Sequence, residues 1–321
     1  MNSSDYRQVW AVSDGRAGNA RQADALAAAL DAGPWHARVV APRPPWRWFA
    51  PRVLPGSALA MAEVLQDAVE AAPAVAVGCG RQAALATRLL GTPRGRTRTV
   101  QILDPRIDPA HWDLVVVPHH DRLRGPNVLT LLGSLHPVDD AWLADARAAF
   151  GGLGALPRPR TALLLGGRSA HLRFDRAAFD ALAAPLVAAL ARDGGSLLAT
   201  TSRRSPPWLA AALQARFGDV AGLAWSGPAD GPNPYPGVLA WADRIVCTPD
   251  SVNMVSEACA TTVPVHVWAP DRVRGRPRRF LDTLLQQGRI RALHADMAPF
   301  AVEPLRETAR IAATVRERLQ L

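Results

Sequence analysis

The sequence predicts an α/β protein made of two similar units, each a parallel β-sheet flanked by helices, whose loops face a central cleft. Short apolar runs of strand length alternate with helical patterns, as in parallel strands joined by crossover helices. A Gly- and Pro-rich stretch at residues 151–159 interrupts this alternation, which then restarts. Since 321 residues is about twice the common domain size, we expect domains at residues 1–155 and 156–321. The last helix is a candidate to return to the first domain.

In the first domain, apolar runs of strand length precede or follow segments with helical spacing. The predicted strands are residues 8–12, 36–40, 74–77, 99–103 and 114–117, and the predicted helices are residues 22–30, 61–72 and 82–90. The first helix is rich in alanine, and the third strand ends in a turn that contains Gly78 and Gly80. The last two strands are each closed by a turn with proline, which marks their ends.

The second domain repeats the pattern. Its predicted strands are residues 161–165, 196–200, 244–247 and 263–268, and its predicted helices are residues 176–192, 207–217 and 252–260. Ligands of such sheets bind at the carboxyl ends of the strands. The loops that follow the strands are therefore the candidate sites, and we expect both domains to direct them into the cleft.

Composition excludes several classes of protein. All 37 basic residues are arginine, so the pI of 11.0 overstates a net charge of +9, and we expect no nucleic-acid partner. The three cysteines lack metal spacing, and an odd number does not suit a disulfide framework. We expect no metal site. No apolar run is long enough to span a membrane, and the N-terminus lacks a signal-peptide pattern, which predicts a cytoplasmic protein.

The first strand leads into a loop with two glycines before its helix. The residues of interest are Asp14, Gly15, Arg16, Gly18 and Asn19. The glycines let the backbone approach a ligand closely, and the helix N-terminus favours anionic or polar groups. The alternative is a tight turn in which Asp14 or Asn19 caps the helix.

Two loops in the second domain have the composition of a phosphate site. They contribute Gly166, Gly167 and Arg168 after one strand, and Thr201, Ser202 and Arg203, followed by a second arginine at Arg204, after the next. Hydroxyls, free backbone amides and arginines at strand ends suit a diphosphate. Each loop alone could equally be a solvated turn, but two at successive strand ends favour phosphate binding.

A third passage of the second domain combines a strand end with a helix start. It contributes Asn233, Tyr235, Asp250, Ser251, Met254 and Glu257. A carboxylate on this helix can accept both hydroxyls of a ribose, while Ser251 and the helix start can hold a phosphate. The alternative is that Asp250 caps the helix and Glu257 is a surface residue.

These loops together resemble the mitochondrial-fission "elongated mitochondria" family over about residues 10 to 290. The segments that carry the resemblance are Asp14 to Asn19 with Gln22, Gly166-Gly167 with Phe174-Asp175, Thr201 to Arg204, and Asp250 to Ala258. The family is similar to two-domain glycosyltransferases of the GT-B type, built from two Rossmann-like domains. That similarity implies a nucleotide-sugar in the C-terminal domain and an acceptor on the N-terminal domain.

We therefore expect a metal-independent glycosyltransferase that moves a sugar from a nucleotide-sugar substrate, without a separate cofactor, to a cell-envelope glycan or a lipid-linked acceptor. Asp14 is the expected base for the acceptor hydroxyl, with His120, in a His-His-Asp turn after a strand, as the alternative. The residues expected on the acceptor side are Gly15, Arg16, Gly18, Asn19 and Arg81. A non-catalytic membrane adaptor and a nucleotide-sugar epimerase are the competing hypotheses.

The proline-rich segment 42–55 interleaves aromatic residues with arginines. Trp46, Trp48 and Phe49 would suit a membrane interface, and the arginines would suit anionic headgroups. We expect this segment to be a loop that docks on the inner face of the cytoplasmic membrane, unless its tryptophans pack on the domain. A second basic cluster, which includes Arg272 and Arg274, could serve donor phosphates or a membrane.

Overall fold

The computed structural model describes residues 8–91, 97–167 and 169–321, which form two compact units. The first unit comprises Met1–Pro137 and Glu307–Leu321, and the second comprises Val138–Arg306. The second unit thus begins earlier than residue 156, because the helix after Asp139 packs within it. The segment 151–159 contains a short 3-10 turn inside this unit.

Both units alternate strands and helices. The strands of the first unit are β1 (Val9–Ser13), β2 (Trp35–Val39), β3 (Val75–Cys79), β4 (Arg98–Ile102), β5 (Leu114–Pro118) and β6 (Val128–Leu131), and those of the second are β7 (Arg160–Leu165), β8 (Ser196–Thr201), β9 (Gly222–Trp225), β10 (Arg244–Cys247), β11 (Val265–Val267) and β12 (Ile290–Ala292). The helices are α1 (Ala17–Ala29), α2 (Trp46–Phe49), α3 (Ser57–Ala60), α4 (Ala62–Ala71), α5 (Arg81–Leu90), α6 (Asp140–Ala149), α7 (Arg176–Asp193), α8 (Trp208–Phe217), α9 (Tyr235–Trp241), α10 (Val252–Cys259), α11 (Arg276–Gln286) and α12 (Thr308–Leu319).

The first sheet is parallel, with strand order β2-β1-β3-β4-β5-β6. The chain moves outward from β1 to β2 and then returns to build β3 on the other side of β1. Ligands bind where the strand order reverses in this way. Ser13 lies beside Cys79 in the register, so the loops after β1 and β3 leave the sheet side by side.

The second sheet is also parallel, with order β12-β11-β10-β7-β8-β9. Counted from β7, this is the Rossmann order 3-2-1-4-5-6. Its reversal point lies between β7 and β10, where Leu164 pairs with Cys247. The glycines after β7 and the Thr-Pro-Asp after β10 therefore start from neighbouring positions.

Helix α12 belongs to the first unit. Its buried residues Ile311, Ala312, Val315 and Leu319 join the core cluster that contains Leu26 of α1. Glu307 accepts a hydrogen bond from the Leu132 N–H and fixes the start of the helix. The end of the chain thus completes the core formed by its beginning.

The predicted α/β class with two parallel-sheet units is confirmed. The predicted segments correspond to strands or helices, whereas the short strands β6, β9 and β12 and the helices α3, α6, α9 and α11 were not predicted. The segment 42–55 is not entirely a loop, because α2 forms one helical turn within it. Prolines bound this turn without interrupting it, so the expectation of a purely irregular segment was wrong.

Candidate functional site

Asp250 is the centre of the strand-end loops of the second unit, and its side chain is 1% exposed. Its Oδ2 accepts hydrogen bonds from the Gly167 N–H at 3.1 Å and from Arg204 Nη2 at 3.1 Å. Its Oδ1 accepts from Thr248 Oγ1 at 2.7 Å, and that hydroxyl accepts from the Gly166 N–H at 2.8 Å. A buried carboxylate must be paired to be tolerated. Here the pairing ties together the loops after β7, β8 and β10.

Gly166 and Gly167 allow these loops to touch. A Cβ at Gly166 would lie 2.1 Å from Asp250 Oδ1, and a Cβ at Gly167 would lie 2.3 Å from the Arg204 carbonyl oxygen. Ser205 Oγ also donates to the Gly166 carbonyl at 2.6 Å. Any other residue would force the loops apart, so this arrangement requires glycine at both positions.

The loop after β8 is a tight turn. Thr201 ends the strand and donates its hydroxyl to the Ser226 carbonyl at 3.2 Å. The Ser202 N–H donates to Ser205 Oγ at 3.0 Å, and the Ser205 N–H donates to the Ser202 carbonyl at 2.9 Å. The Arg203 side chain is exposed and, in the described part of the chain, makes no hydrogen bond or ion pair. The turn therefore presents two arginines in different environments.

Ser251 and Glu257 mark the two ends of α10. Ser251 Oγ accepts from the Met254 N–H at 3.3 Å, which caps the helix. Glu257 is only 5% exposed, so the alternative of a surface residue is wrong. The other alternative, Asp250 as the helix cap, is also wrong because Ser251 performs that function. The passage thus supplies a capped helix start and a buried carboxylate.

The remaining predicted donor residues lie before α9. Asn233 Oδ1 accepts from the Tyr235 N–H at 3.1 Å, and this turn starts the helix after β9. Strand β9 is at the edge of the sheet, two strands away from β7. Arg168 lies outside the described residues.

An open cavity of about 750 Å³ begins where the two phosphate-type loops end. It is lined by residues 169–175, Pro206, Trp208, Arg272 and Arg274. The stretch 169–175 comes directly after the glycine loop, and Pro206 follows Ser205. Small-ligand sites typically measure about 300–1,000 Å³. The cavity therefore provides room for a ligand beside the Asp250 network, with arginines in its lining.

Asp14 occupies the reversal point of the first unit, directly after β1, and its side chain is 7% exposed. Its Oδ1 accepts from Asn19 Nδ2 at 2.9 Å and from the Arg16 N–H at 3.2 Å. Gly80 follows β3 with φ +92°, and a Cβ there would lie 2.5 Å from Asn19 Nδ2. The structure thus brings Asp14, Asn19 and Gly80 together and leaves no room for a larger residue at position 80.

The rest of this loop supports α1 or faces solvent. Gly15 has φ +74°, which favours glycine. The Gly18 carbonyl accepts from Gln22 Nε2 at 3.2 Å within the helix, and the Arg16 side chain is 81% exposed. Burial, followed by the charge of Asp14, raises the pKa of the Cys79 thiol. Cys79 is therefore a neutral thiol rather than a nucleophile.

His120 lies in a 3-10 turn after β5, with Nε2 3.8 Å from Asp121 Oδ1. Both side chains are buried, 8% and 2% exposed. Strands β3 and β4 separate β5 from β1. At about 4.8 Å per strand, the ends of β1 and β5 are about 14 Å apart. Asp14 and His120 are thus separate candidate bases and not a pair.

Arg81 holds the segment that contains α2. Its Nη2 donates to the Trp48 carbonyl at 2.9 Å and its Nε to the Ala50 carbonyl at 3.0 Å. Trp46 is half-buried, and its Nε1 donates to the Pro55 carbonyl at 2.9 Å. Trp48 and Phe49 are 67% and 48% exposed. The aromatic residues therefore divide into one that packs on the unit and two that face solvent.

Sequence reasoning placed Arg204 beside Arg203 in the loop after β8 without separating their roles, and it did not select Thr248 or Ser205. The Thr-x-Asp spacing at the end of β10 could have indicated Thr248, since a hydroxyl two residues before a carboxylate can donate to it. Nothing in the sequence distinguishes Arg204 from Arg203, because the difference arises from how the turn packs on Gly167.

Two Rossmann-like units in one chain, with polar loops at the reversal point of each sheet, define the GT-B class of α/β protein. Residues 17–319 match the family described as Mitochondrial fission ELM1, and the chain belongs to this family. The resemblance seen in the sequence is confirmed. Among the described residues, no helix is long and apolar enough to cross a membrane.

Two relatives and one solved structure illustrate the similarity. The chain is 29% identical over 276 residues to mitochondrial fission protein ELM1 of Arabidopsis thaliana, covering 77% of this chain and 64% of that protein. It thus spans less than two thirds of that relative's length. It is 22% identical to an uncharacterized protein of Rickettsia prowazekii, covering 98% and 99%. The UDP-GlcNAc 2-epimerase of Methanocaldococcus jannaschii superimposes with a TM-score of 0.55 at 12% identity, covering 97% of this chain and 99% of that structure. This last similarity concerns the fold.

Proposed function

We propose that the protein is a nucleotide-sugar-dependent glycosyltransferase that acts on a cell-envelope glycan or a lipid-linked acceptor. The observation that carries the proposal is the Asp250 network, which fixes three loops at the reversal point of a Rossmann sheet beside an arginine-lined cavity. Reversal points of such sheets are where nucleotides bind. The M. jannaschii structure of similar fold is that of a UDP-GlcNAc 2-epimerase, which supports the choice of nucleotide-sugar.

In this proposal the second unit holds the donor. Glu257 accepts hydrogen bonds from the ribose hydroxyls, and the start of α10 at Ser251 faces the diphosphate, where the helix dipole favours negative charge. The sugar extends into the cavity of about 750 Å³. Arginines and backbone N–H groups neutralise the leaving diphosphate, so the reaction does not require a metal ion.

The first unit supplies the base for the acceptor hydroxyl. Asp14 is the first candidate because its Oδ1 is fixed by Asn19 while the carboxylate remains at a strand end. His120 is the second candidate, and Asp121 lies beside its ring, with Oδ1 3.8 Å from Nε2. Either group would remove the proton as the hydroxyl attacks the anomeric carbon and the nucleoside diphosphate departs.

A thermal-shift screen tests the proposal. Nucleoside diphosphates and nucleotide-sugars should raise the unfolding temperature in proportion to the logarithm of ligand concentration over the dissociation constant. The shift should be the same with and without EDTA. Absence of a shift with the whole panel would contradict the proposed donor site. A shift that disappears in EDTA would show that binding requires a metal ion.

Two competing functions each have one supporting observation. The fold similarity to an epimerase favours nucleotide-sugar epimerisation, and the name of the Arabidopsis relative favours a role in mitochondrial fission. Conversion of the donor without any acceptor would identify an epimerase. A protein that binds no nucleotide at all would fit a non-catalytic adaptor.

We further propose peripheral association with an anionic membrane through α2. Trp48 and Phe49 project from it, and Arg47 comes directly before them. Such a surface would place the active unit near a lipid-linked acceptor.

A further inference from the structure

We propose that Arg204, held in place by Asp250, is the arginine that binds the diphosphate of the nucleotide, and that its neighbour Arg203 has no part in this. The inference rests on the proposed donor site and names the cation of that site. The two arginines are adjacent in the sequence, so the distinction comes from their surroundings.

Arg204 is oriented by contacts that Arg203 lacks. Its Nη2 donates to the buried Asp250 Oδ2 at 3.1 Å, while the side chain as a whole is 49% exposed. A guanidinium has five N–H donors in a rigid plane. Among the described residues, Asp250 is the only one to which the Arg204 guanidinium donates a hydrogen bond. The remaining donors are therefore fixed in direction and open to a ligand.

The backbone around Arg204 is fixed as well. Its carbonyl packs against Gly167, where a Cβ would come within 2.3 Å. Its N–H donates to Ser202 Oγ at 3.2 Å, and the next residue, Ser205, donates to the Gly166 carbonyl. The base of the side chain thus cannot shift without breaking the contact between the loops after β7 and β8.

The ligand of the remaining Arg204 donors must be anionic, and it would lie beside the glycine loop. The Gly167 N–H and the Arg204 guanidinium both donate to the same oxygen, Asp250 Oδ2, so both lie within about 3 Å of it. A diphosphate is long enough to contact a backbone loop and a guanidinium together, and a guanidinium binds phosphate oxygens in pairs.

Asp250 is a positioning residue in this arrangement. With a side-chain exposure of 1% and three donors directed at it, the carboxylate is satisfied by the protein. It therefore orients Arg204 and the glycine loop and does not contact the ribose. This revises its predicted role as a direct ligand of the nucleotide.

The test measures binding of UDP, inorganic pyrophosphate and uridine by titration calorimetry to the full chain. We expect Arg204→Gln to weaken the binding of UDP and of pyrophosphate about tenfold or more, as for a lost charge-assisted hydrogen bond. The same substitution should leave any binding of uridine unchanged. Arg204→Lys should recover part of the loss, since it keeps the charge without the fork. Arg203→Gln, the matched control, should stay within about twofold of wild type.

Asp250→Asn extends the test to the positioning residue. The substitution removes a negative charge near an anion site, so a purely electrostatic role of Asp250 predicts tighter binding of pyrophosphate. A positioning role predicts weaker binding of pyrophosphate, which is the result we expect. Equal losses in the two arginine variants, or none in Arg204→Gln, would overturn the assignment while leaving the donor site intact. A wild-type protein that binds neither UDP nor pyrophosphate would instead overturn the proposed function, and the assignment with it.

Discussion

Two carboxylates of the second unit, Asp250 and Glu257, lie seven residues apart and are both buried. Asp250 is enclosed by donors from three loops, and we therefore propose Glu257 as the acid of this passage that binds the ribose. The sequence indicates that both are important, but only the packing of the loops separates their roles.

Glu257→Ala should weaken nucleotide binding by about 1–3 kcal/mol, the range for losing hydrogen bonds to a charged group. Titration calorimetry with UDP measures the change. Glu303→Ala removes an exposed carboxylate of the same unit and should leave the dissociation constant unchanged. An unchanged dissociation constant in Glu257→Ala would show that Glu257 does not bind the ribose.

Asp14→Asn should lower turnover roughly a hundredfold or more, the scale of general-base catalysis, while donor affinity stays nearly constant. The substitution is isosteric, so it tests the charge and not the shape of the loop. His120→Ala is the paired variant in the same steady-state assay. If Asp14→Asn retains turnover and His120→Ala loses it, His120 is the base.

His266 makes stability depend on pH. It lies on β11 and is 2% exposed, and burial, followed by the positive charge of Arg244, lowers its pKa to about 4. The unfolded chain, with a histidine pKa near 6.5, binds the proton first as pH falls. Folding stability contributed by neutral His266 is therefore fully present above about pH 6.5 and is lost as pH falls towards 4.

Urea unfolding at pH 7 and pH 5 should show this loss in wild type and a smaller one in His266→Gln. The comparison stops at pH 5 so that Asp193 does not contribute. Hydrogen bonds from Arg192 and Arg244 lower the pKa of Asp193 to about 2, so this residue affects stability only in more acidic solution. Equal losses in both proteins would assign the pH dependence to other groups.

At the scale of elements, the aromatic residues of α2 differ in their exposure to solvent. Trp46 packs on the unit, Trp48 and Phe49 face solvent, and Arg81 fixes the carbonyls beneath them. A fixed helical turn with two exposed aromatic rings is a better membrane anchor than a flexible loop, because less conformational entropy is lost on binding.

Trp48→Ser/Phe49→Ser should abolish sedimentation with phosphatidylglycerol liposomes, and wild-type binding should fall steeply with salt because each arginine near the surface contributes about 1 kcal/mol. Val69→Ser on α4 removes an apolar residue that is even more exposed than these two rings, and it is the control. If the double variant sediments like wild type, or if wild type does not sediment, the exposed rings do not serve a membrane.

The elements that could be predicted are those with a strong local pattern. The strand at Val75–Cys79 and the helix α7 are rich in apolar residues, and each is followed directly by a glycine. The short strand β12 and helix α9 are held mainly by their neighbours and have little local signal. The candidate site follows the same division. Gly167 is visible in a sequence motif, whereas the choice of Arg204 over Arg203 depends on the contact between two loops.

At the scale of the whole molecule, α12 joins the last residues of the chain to the core of the first unit. Val315 is fully buried, whereas Ala313 on the same helix is exposed. Val315→Asp would place an unpaired charge against that core, which costs several kcal/mol, an amount comparable to the stability of a domain.

Hydrogen exchange should then show lost protection in β1 to β6 of the Val315→Asp variant, with β7 to β12 still protected. Ala313→Asp should exchange like wild type. Equal protection in all three proteins would show that α12 is dispensable for the core of the first unit.

The return of α12 also orders events during synthesis on the ribosome. Domains fold as units as they emerge, usually from the N-terminus onward. Here Glu307–Leu321 emerge after the whole of Val138–Arg306. The second unit can complete its core before those residues appear, whereas the first must wait for them with Leu26 and its neighbours uncovered. The unit whose translation begins first is therefore the unit that completes its core last, and the one that depends longest on protection from aggregation.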